Sequence, residues 1–373
     1  MSEKLLRFYN LLMFLSGMVM LILGPILDFV MRDYGLNKAT AGLLSMTYMA
    51  GNIPGMLLSS RKVNLDAIRG ACFLIAFSLG LMTVAPGSLV FALGFFTAGL
   101  AAGFLFSGVA AMAACAVSEQ ERGSCLNKLY GWLAIGVVLG PIYSSLWQGF
   151  GLWRPVPASY GLFFLCAALF FPKAENCKIP VRQEGGFPKS TQFWLLCAAL
   201  FFYVGAESAV SVWVVKFLLD QFQLTWSNFV LVGLWVNITL GRFLLARISR
   251  KYANISLLVG LSLWSTVFIF LAAFSGVIIS VLSFLAVGFG FSGIYSLLIE
   301  EGSKIAGESS IGILGTSGVL GASITTGLVG FIAQSRGFSW GIALGGFLTL
   351  GIIMAVLLSR KFASEEARGD DRC

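Results

Sequence analysis

Twelve apolar runs, most of them long enough to cross a bilayer as a helix, account for the greater part of this 373-residue chain. A helix needs about 20 apolar residues to cross ~30 Å of hydrocarbon. The runs fall at 7–31, 38–59, 70–86, 88–117, 128–149, 157–172, 191–218, 226–247, 253–275, 277–299, 310–334 and 337–359. The expected fold is therefore an all-α membrane protein of twelve transmembrane helices. Composition agrees, with 58% hydrophobic and 11% charged residues, which places the chain in the membrane class rather than among soluble domains. The first run follows Lys4 and Arg7 as a signal peptide would, but no small-residue cleavage site follows it, and it reads as a retained anchor.

Cytoplasmic loops carry an excess of Lys and Arg. With the N-terminus inside, all of the 25 Lys and Arg except Arg32, Lys38, Arg154, Lys216 and Arg336 fall on the inner side. The bias recurs at every inside loop, whereas a missed or extra span would invert it from that point on. Both termini are expected in the cytoplasm, with the protein in a plasma (bacterial inner) membrane. The net charge of +8 then reflects topology and anionic lipid, and nucleic acid is not an expected partner, because the basic residues are scattered over many short loops.

The seven cysteines form no disulfide or metal pattern, and the chain has no histidine, so neither a transition-metal site nor a cofactor is expected and proton chemistry falls to carboxylates. No Walker-type phosphate loop is present. Transport by such a chain runs on a gradient or downhill. No nucleophile, base or metal constellation points to an enzyme.

The longest polar stretch, 172–191, mixes Pro, Gly and both charge signs and reads as a cytoplasmic linker. It divides the chain into a six-span bundle at 1–172, a linker at 173–190, a second six-span bundle at 191–360 and a cytoplasmic tail at 361–373. The halves echo each other. Gly17 and Gly205, Asp28 and Lys216, and Leu36 and Leu224 share one spacing, and Gly55 and Gly241 precede Arg61 and Arg247 by one interval. Two parallel halves of six spans suit a transporter that rocks about a midplane site.

Glu207 is the costliest residue in the chain, an acid near the middle of the seventh run. Tyr203, Glu207 and Ser211 recur at helical spacing and form one polar stripe. An ionised carboxylate at that depth is expensive, so a proton held in a dry surround and released on wetting makes Glu207 a proton-coupling element. Asp28, near the outer end of the first run, has three readings: a second coupling acid, a residue solvated in the outer vestibule, or a partner for Lys216. Arg242 closes the eighth run as a gate residue whose stem snorkels to the inner headgroups, with Glu300 or Glu301 as alternative partners. Glu300 and Glu301 close the tenth run as a solvated gate pair. Polar and aromatic residues within the runs are the candidate substrate wall: Tyr48 and Asn52, Trp132 and Tyr143, Trp235 and Asn237, Tyr295, and with them Tyr203, Ser211 and Trp213 of the seventh run. The glycines of Gly136-x-x-x-Gly140-Pro141 and of the eleventh run let helices approach closely, and Pro141 permits a bend.

Six plus six spans, the central loop, Gly55 before a basic loop that includes Arg61, Gly136-x-x-x-Gly140-Pro141 and the glycine-rich eleventh run together resemble the major facilitator superfamily over essentially the whole chain. Tyr203-Val-Gly-Ala-Glu207-Ser-Ala-Val-Ser-Val-Trp213 and Gly288-Phe-Gly290-Phe-Ser-Gly293-Ile-Tyr295 are similar to segments of the fucose/galactose/hexose proton symporters. Two departures stand out. The stretch from Gly55 to Lys62 lacks the acid usual in the superfamily, and the fourth run has no charged or amide residue where sugar symporters of this group often place one. The resemblance implies a secondary transporter, a monomer among membrane lipids, that moves a small polar solute such as a sugar by proton-coupled uptake. The alternative is proton-antiport efflux of an amphipathic compound, with which the 14% aromatic content and the Gly-Pro of the fifth run are compatible.

Overall fold

The computed structural model describes residues 3–61, 63–115, 119–172, 188, 190–248, 254–306 and 311–370. Among these, fourteen helices follow in order: α1 (Glu3–Met20), α2 (Leu23–Asp33), α3 (Lys38–Arg61), α4 (Leu65–Val84), α5 (Ser88–Cys115), α6 (Glu119–Gln148), α7 (Pro155–Leu169), α8 (Thr191–Phe222), α9 (Ser227–Ile248), α10 (Asn254–Phe274), α11 (Val277–Phe291), α12 (Ile294–Ala306), α13 (Ile311–Arg336) and α14 (Phe338–Asp370). They thread as twelve spans, because α1 with α2 and α11 with α12 are each one span with an interruption. Eight spans pass on length and hydropathy as they stand, the α1–α2 pair makes a ninth, and α7 is a shorter apolar helix. α3 and α9 complete the set. The expected linker falls mostly on residues outside those described, and α14 continues without a break into the expected tail.

Two spans read as continuous are broken. The first bends by 43° between α1 and α2. Pro25, in the first turn of α2, has no N–H for the Leu21 carbonyl four residues back, and its ring crowds that carbonyl, so the ladder fails at Leu21 and Ile22. The tenth span is interrupted at Ser292 and Gly293, between α11 and α12. Elsewhere the ends follow local rules. Asn64 caps α4 by accepting from the Ala67 N–H at 2.7 Å. α8 stops at Gln223, which takes the left-handed conformation (φ 54°) and turns its N–H to the Leu219 carbonyl.

The chain divides into two compact units, Met1–Arg182 and Gln183–Cys373. Three pairings recur in both units: first with fifth (α1 with α6, α8 with α13), second with fourth (α3 with α5, α9 with α11) and third with sixth (α4 with α7, α10 with α14); the second unit adds an extensive packing of α8 on α14 that α1 and α7 match only weakly. The sequence echo has a packing cause. A Cβ at Gly136 would fall on the Phe14 carbonyl of α1, and one at Gly321 would fall on the Phe201 carbonyl of α8. With little hydrophobic drive between helices in lipid, such backbone-to-backbone approach is what associates them. Hydroxyl pairs add to it, Ser78 with Thr97 at 2.8 Å and Thr266 with Thr349 at 2.7 Å.

Candidate functional site

Tyr203, Glu207 and Ser211 lie along one face of α8, as their spacing requires. Glu207 is partly buried, while Tyr203 and Ser211 are fully so. The Tyr203 hydroxyl oxygen is 3.0 Å from Glu207 Oε1 and 2.9 Å from the Phe291 carbonyl oxygen. Around its ring stand Phe291, edge-on with centroids 5.8 Å apart, and Tyr295 of α12 at 6.3 Å. Arg242, exposed in the C-terminal half of α9, exerts an electrostatic influence on both Glu207 and Tyr203. An acid, a phenol and a helix-end backbone carbonyl thus meet where α8 and the broken tenth span come together, with the Arg242 guanidinium of α9 near enough to influence the acid electrostatically. This combination can bind a proton, release it and balance the charge left behind.

Two residues expected at the substrate have hydrogen-bond partners within the protein. Trp213 is fully buried, donates its indole N–H to the Thr326 carbonyl of α13 at 2.9 Å and tilts against Phe338. It lies off the 203–207–211 face and pins α8 to its neighbours. Tyr203 is buried, with its hydroxyl between Glu207 Oε1 and the Phe291 carbonyl. Ser211 Oγ and Trp235 Nε1 are buried without a hydrogen-bond partner among the described residues. Asn237 turns its amide back to the Gly233 carbonyl at 2.9 Å, and its Cβ sits against Gly288 of α11. Tyr295 is exposed.

In the first unit, Tyr48 is buried and stacks on Phe95 with centroids 5.0 Å apart, one turn before Asn52. Asn52 faces Gly103 of α5 as Asn237 faces Gly288. Trp132 is exposed beside Phe14, and Tyr143 packs on Tyr160 at 5.4 Å. Asp28 is buried in α2 and pairs with Arg32 one turn away at 2.6 Å, as Lys216 pairs with Asp220 in α8 at 2.6 Å. Asn10 in the first span was passed over by the sequence reading, although an amide in an apolar run is its own signal. Its Oδ1 is buried with no hydrogen-bond partner among the described residues.

In the C-terminal half of the tenth span the two acids do not pair with Arg242. Glu300 and Glu301 accept from Lys304 at 2.7 and 2.8 Å and from Asn254 Nδ2, at the start of α10, at 3.0 and 2.7 Å. Lys304, three and four residues on, was a legible partner; Asn254 was not. The cluster fastens α12 to α10, and Arg242 is not part of it. Arg61 ends α3, and its side chain lies outside the described residues. Among the described residues no group of His, Cys, Asp and Glu could hold a metal ion.

A family model described as Major Facilitator Superfamily matches residues 10–310. An uncharacterized MFS-type transporter of Yersinia pestis is 24% identical over 357 residues, covering 88% of this chain and 89% of that protein. Among solved structures, a bacterial homologue of the human lysosomal transporter Spinster, inward-facing and occupied, superposes with a TM-score of 0.78 at 12% identity, covering 97% of this chain and 98% of its own. The E. coli fucose:proton symporter FucP gives a TM-score of 0.65 at 15% identity over 95% of this chain and 98% of its own. The nucleoside transporter NupG gives 0.75 at 13% over 96% and 99%. At these identities the likeness to solved structures is one of fold.

Proposed function

The chain belongs to the Major Facilitator Superfamily, and from that premise we propose that it is a secondary transporter taking up a small polar organic solute by alternating access, with Glu207 as the acid that binds and releases the coupling proton. The observation that carries the reading is a single carboxylate, partly buried in a transmembrane helix, held by the Tyr203 hydroxyl and balanced by the charge of Arg242. Such a group is stable neutral in a dry surround and ionised when water and a cation reach it, and that alternation couples a proton to a helix movement. Fucose and nucleosides, named for two of the structural neighbours, are small polar solutes of the class proposed.

The solute is read to meet Ser211 and Trp235. A buried donor without an acceptor costs about 1–3 kcal/mol, and a bound solute that supplies a hydroxyl or carbonyl oxygen recovers that cost. Tyr48, Asn52, Trp132 and Tyr143 are proposed as substrate contacts of the first unit, with Asp28 as a second acid of the outer half. Glu300, Glu301 and Lys304 are proposed to hold the inner end of the tenth span in the closed gate. The protein is proposed to work as a monomer in a bacterial inner membrane with both termini cytoplasmic.

Two tests follow. A thermal-shift screen of the purified protein against sugars, nucleosides and organic acids should find a ligand that raises the melting temperature, since binding only the folded state at about 100 times Kd adds about 2.7 kcal/mol. Trp235→Phe, which removes the N–H together with part of the indole ring, should weaken that shift; an equal shift would take Trp235 out of the site. For topology, a single cysteine at Ser190 in a cysteine-free background should react with a membrane-impermeant thiol probe only after the cells are opened. Labelling from the periplasm would invert the orientation.

A further inference from the structure

The Tyr203 hydroxyl faces two oxygens at nearly equal distance, Glu207 Oε1 at 3.0 Å and the Phe291 carbonyl at 2.9 Å, and it owns one hydrogen. A carbonyl only accepts, and so does an ionised carboxylate. Both contacts can be hydrogen bonds at once only if Glu207 is protonated and donates to Tyr203, which then donates to Phe291. If Glu207 loses its proton, two acceptors compete for one hydrogen, and the charged one wins because charge-assisted bonds are the stronger.

Phe291 occupies a particular place. It is the last residue of α11, and beyond it the ladder is interrupted: Ser292 turns its N–H and its hydroxyl back to the Phe289 carbonyl at 3.2 and 2.6 Å, and the helix resumes with the Leu297 N–H on the Gly293 carbonyl at 3.1 Å. A carbonyl at a helix end needs a donor from outside the helix, and Tyr203 supplies it. The break also lies against α9, since a Cβ at Gly241 would lie 2.5 Å from Ser292 Oγ.

We propose that Tyr203 reads the protonation state of Glu207 and transmits it to the break in the tenth span, giving its hydrogen to the Phe291 carbonyl when Glu207 is protonated and to the Glu207 carboxylate when it is ionised. The inference deepens the proposed function and rests on Glu207 as the coupling acid. The proton that leaves Glu207 goes to solvent; Tyr203 only rotates its O–H and stays neutral. Arg242, next in sequence to Gly241, supplies the positive charge that makes the ionised state reachable. Of the other helices packed on α8, α12 brings Tyr295, α11 has no ionisable side chain, and α13 and α14 carry theirs towards their C-terminal ends. Lys216 and Asp220, further along α8, pair with each other.

The test is hydrogen exchange of peptides covering the break, read by mass spectrometry on the full-length protein in detergent at several pH values and corrected for intrinsic exchange. In the parent, amides just after Phe291 should lose protection as pH rises and Glu207 ionises, by a factor on the order of tenfold for the loss of one ordinary hydrogen bond. Glu207→Gln, whose amide still donates to Tyr203, should stay protected throughout. Tyr203→Phe should show low protection at every pH. A pH response in Tyr203→Phe equal to the parent's, or no response in the parent, overturns the relay. If Tyr203→Phe does not fold, a pH response that persists in Glu207→Gln overturns it equally. Failure of the underlying reading shows elsewhere, as proton-driven accumulation that survives Glu207→Gln.

Discussion

Gly136→Leu is expected to abolish the folded protein, with almost no monodisperse material recovered from detergent and no cooperative melt. A Cβ at Gly136 would fall on the Phe14 carbonyl and lie 3.1 Å from the Met18 amide nitrogen, so the obstacle is the backbone of α1 and no rotamer relieves it. Overpacking a core costs about 1–3 kcal/mol when side chains can shift; here two helices must part, and the contacts that associate them in lipid are lost together. Gly131 lies on the same helix with nothing near its Cβ position, and Gly131→Leu should express and melt as the parent does. Gly321→Leu should reproduce the defect in the second unit, against the Phe201 carbonyl. Normal yield and melting of Gly136→Leu would show that close approach of α1 and α6 is not needed for folding.

Much of this fold is written in the spans themselves. Run length and hydropathy are local properties, so α4, α5, α8, α10, α13 and α14 follow from them directly. The pairing of Gly17 with Gly205 in the sequence is a packing relation, since the two residues occupy matching places on the first helix of each half: Gly17 against Leu133 of the fifth span, Gly205 against Gly321 of the eleventh. The break at Leu21 and Ile22 was legible through Pro25. The break at Ser292 and Gly293 was not, because it involves no proline and glycines are as common in unbroken parts of this chain. The Tyr203–Glu207 contact follows from spacing alone, whereas the charge of Arg242 on Glu207 depends on how α9 packs on α8, which no local pattern encodes. Helical phase sets Trp213 apart from the other candidates of α8: at 100° per residue it turns away from the face shared by Tyr203, Glu207 and Ser211, towards Thr326.

The second large effect concerns energy coupling and tests the central claim most directly. Glu207→Gln keeps the shape of the side chain and a donor for Tyr203, but it cannot cycle a proton. The mutant and the parent are reconstituted into proteoliposomes and compared in two assays with a solute identified by thermal shift: accumulation driven by an imposed pH gradient, and exchange of labelled for unlabelled solute at equal pH. If Glu207 carries the coupling proton, the parent concentrates the solute, while Glu207→Gln brings it no further than equal concentrations on the two sides. Exchange, which needs no net proton movement, persists in the mutant. Gradient-driven accumulation by Glu207→Gln equal to the parent's would contradict the coupling role and reduce Glu207 to a structural hydrogen bond.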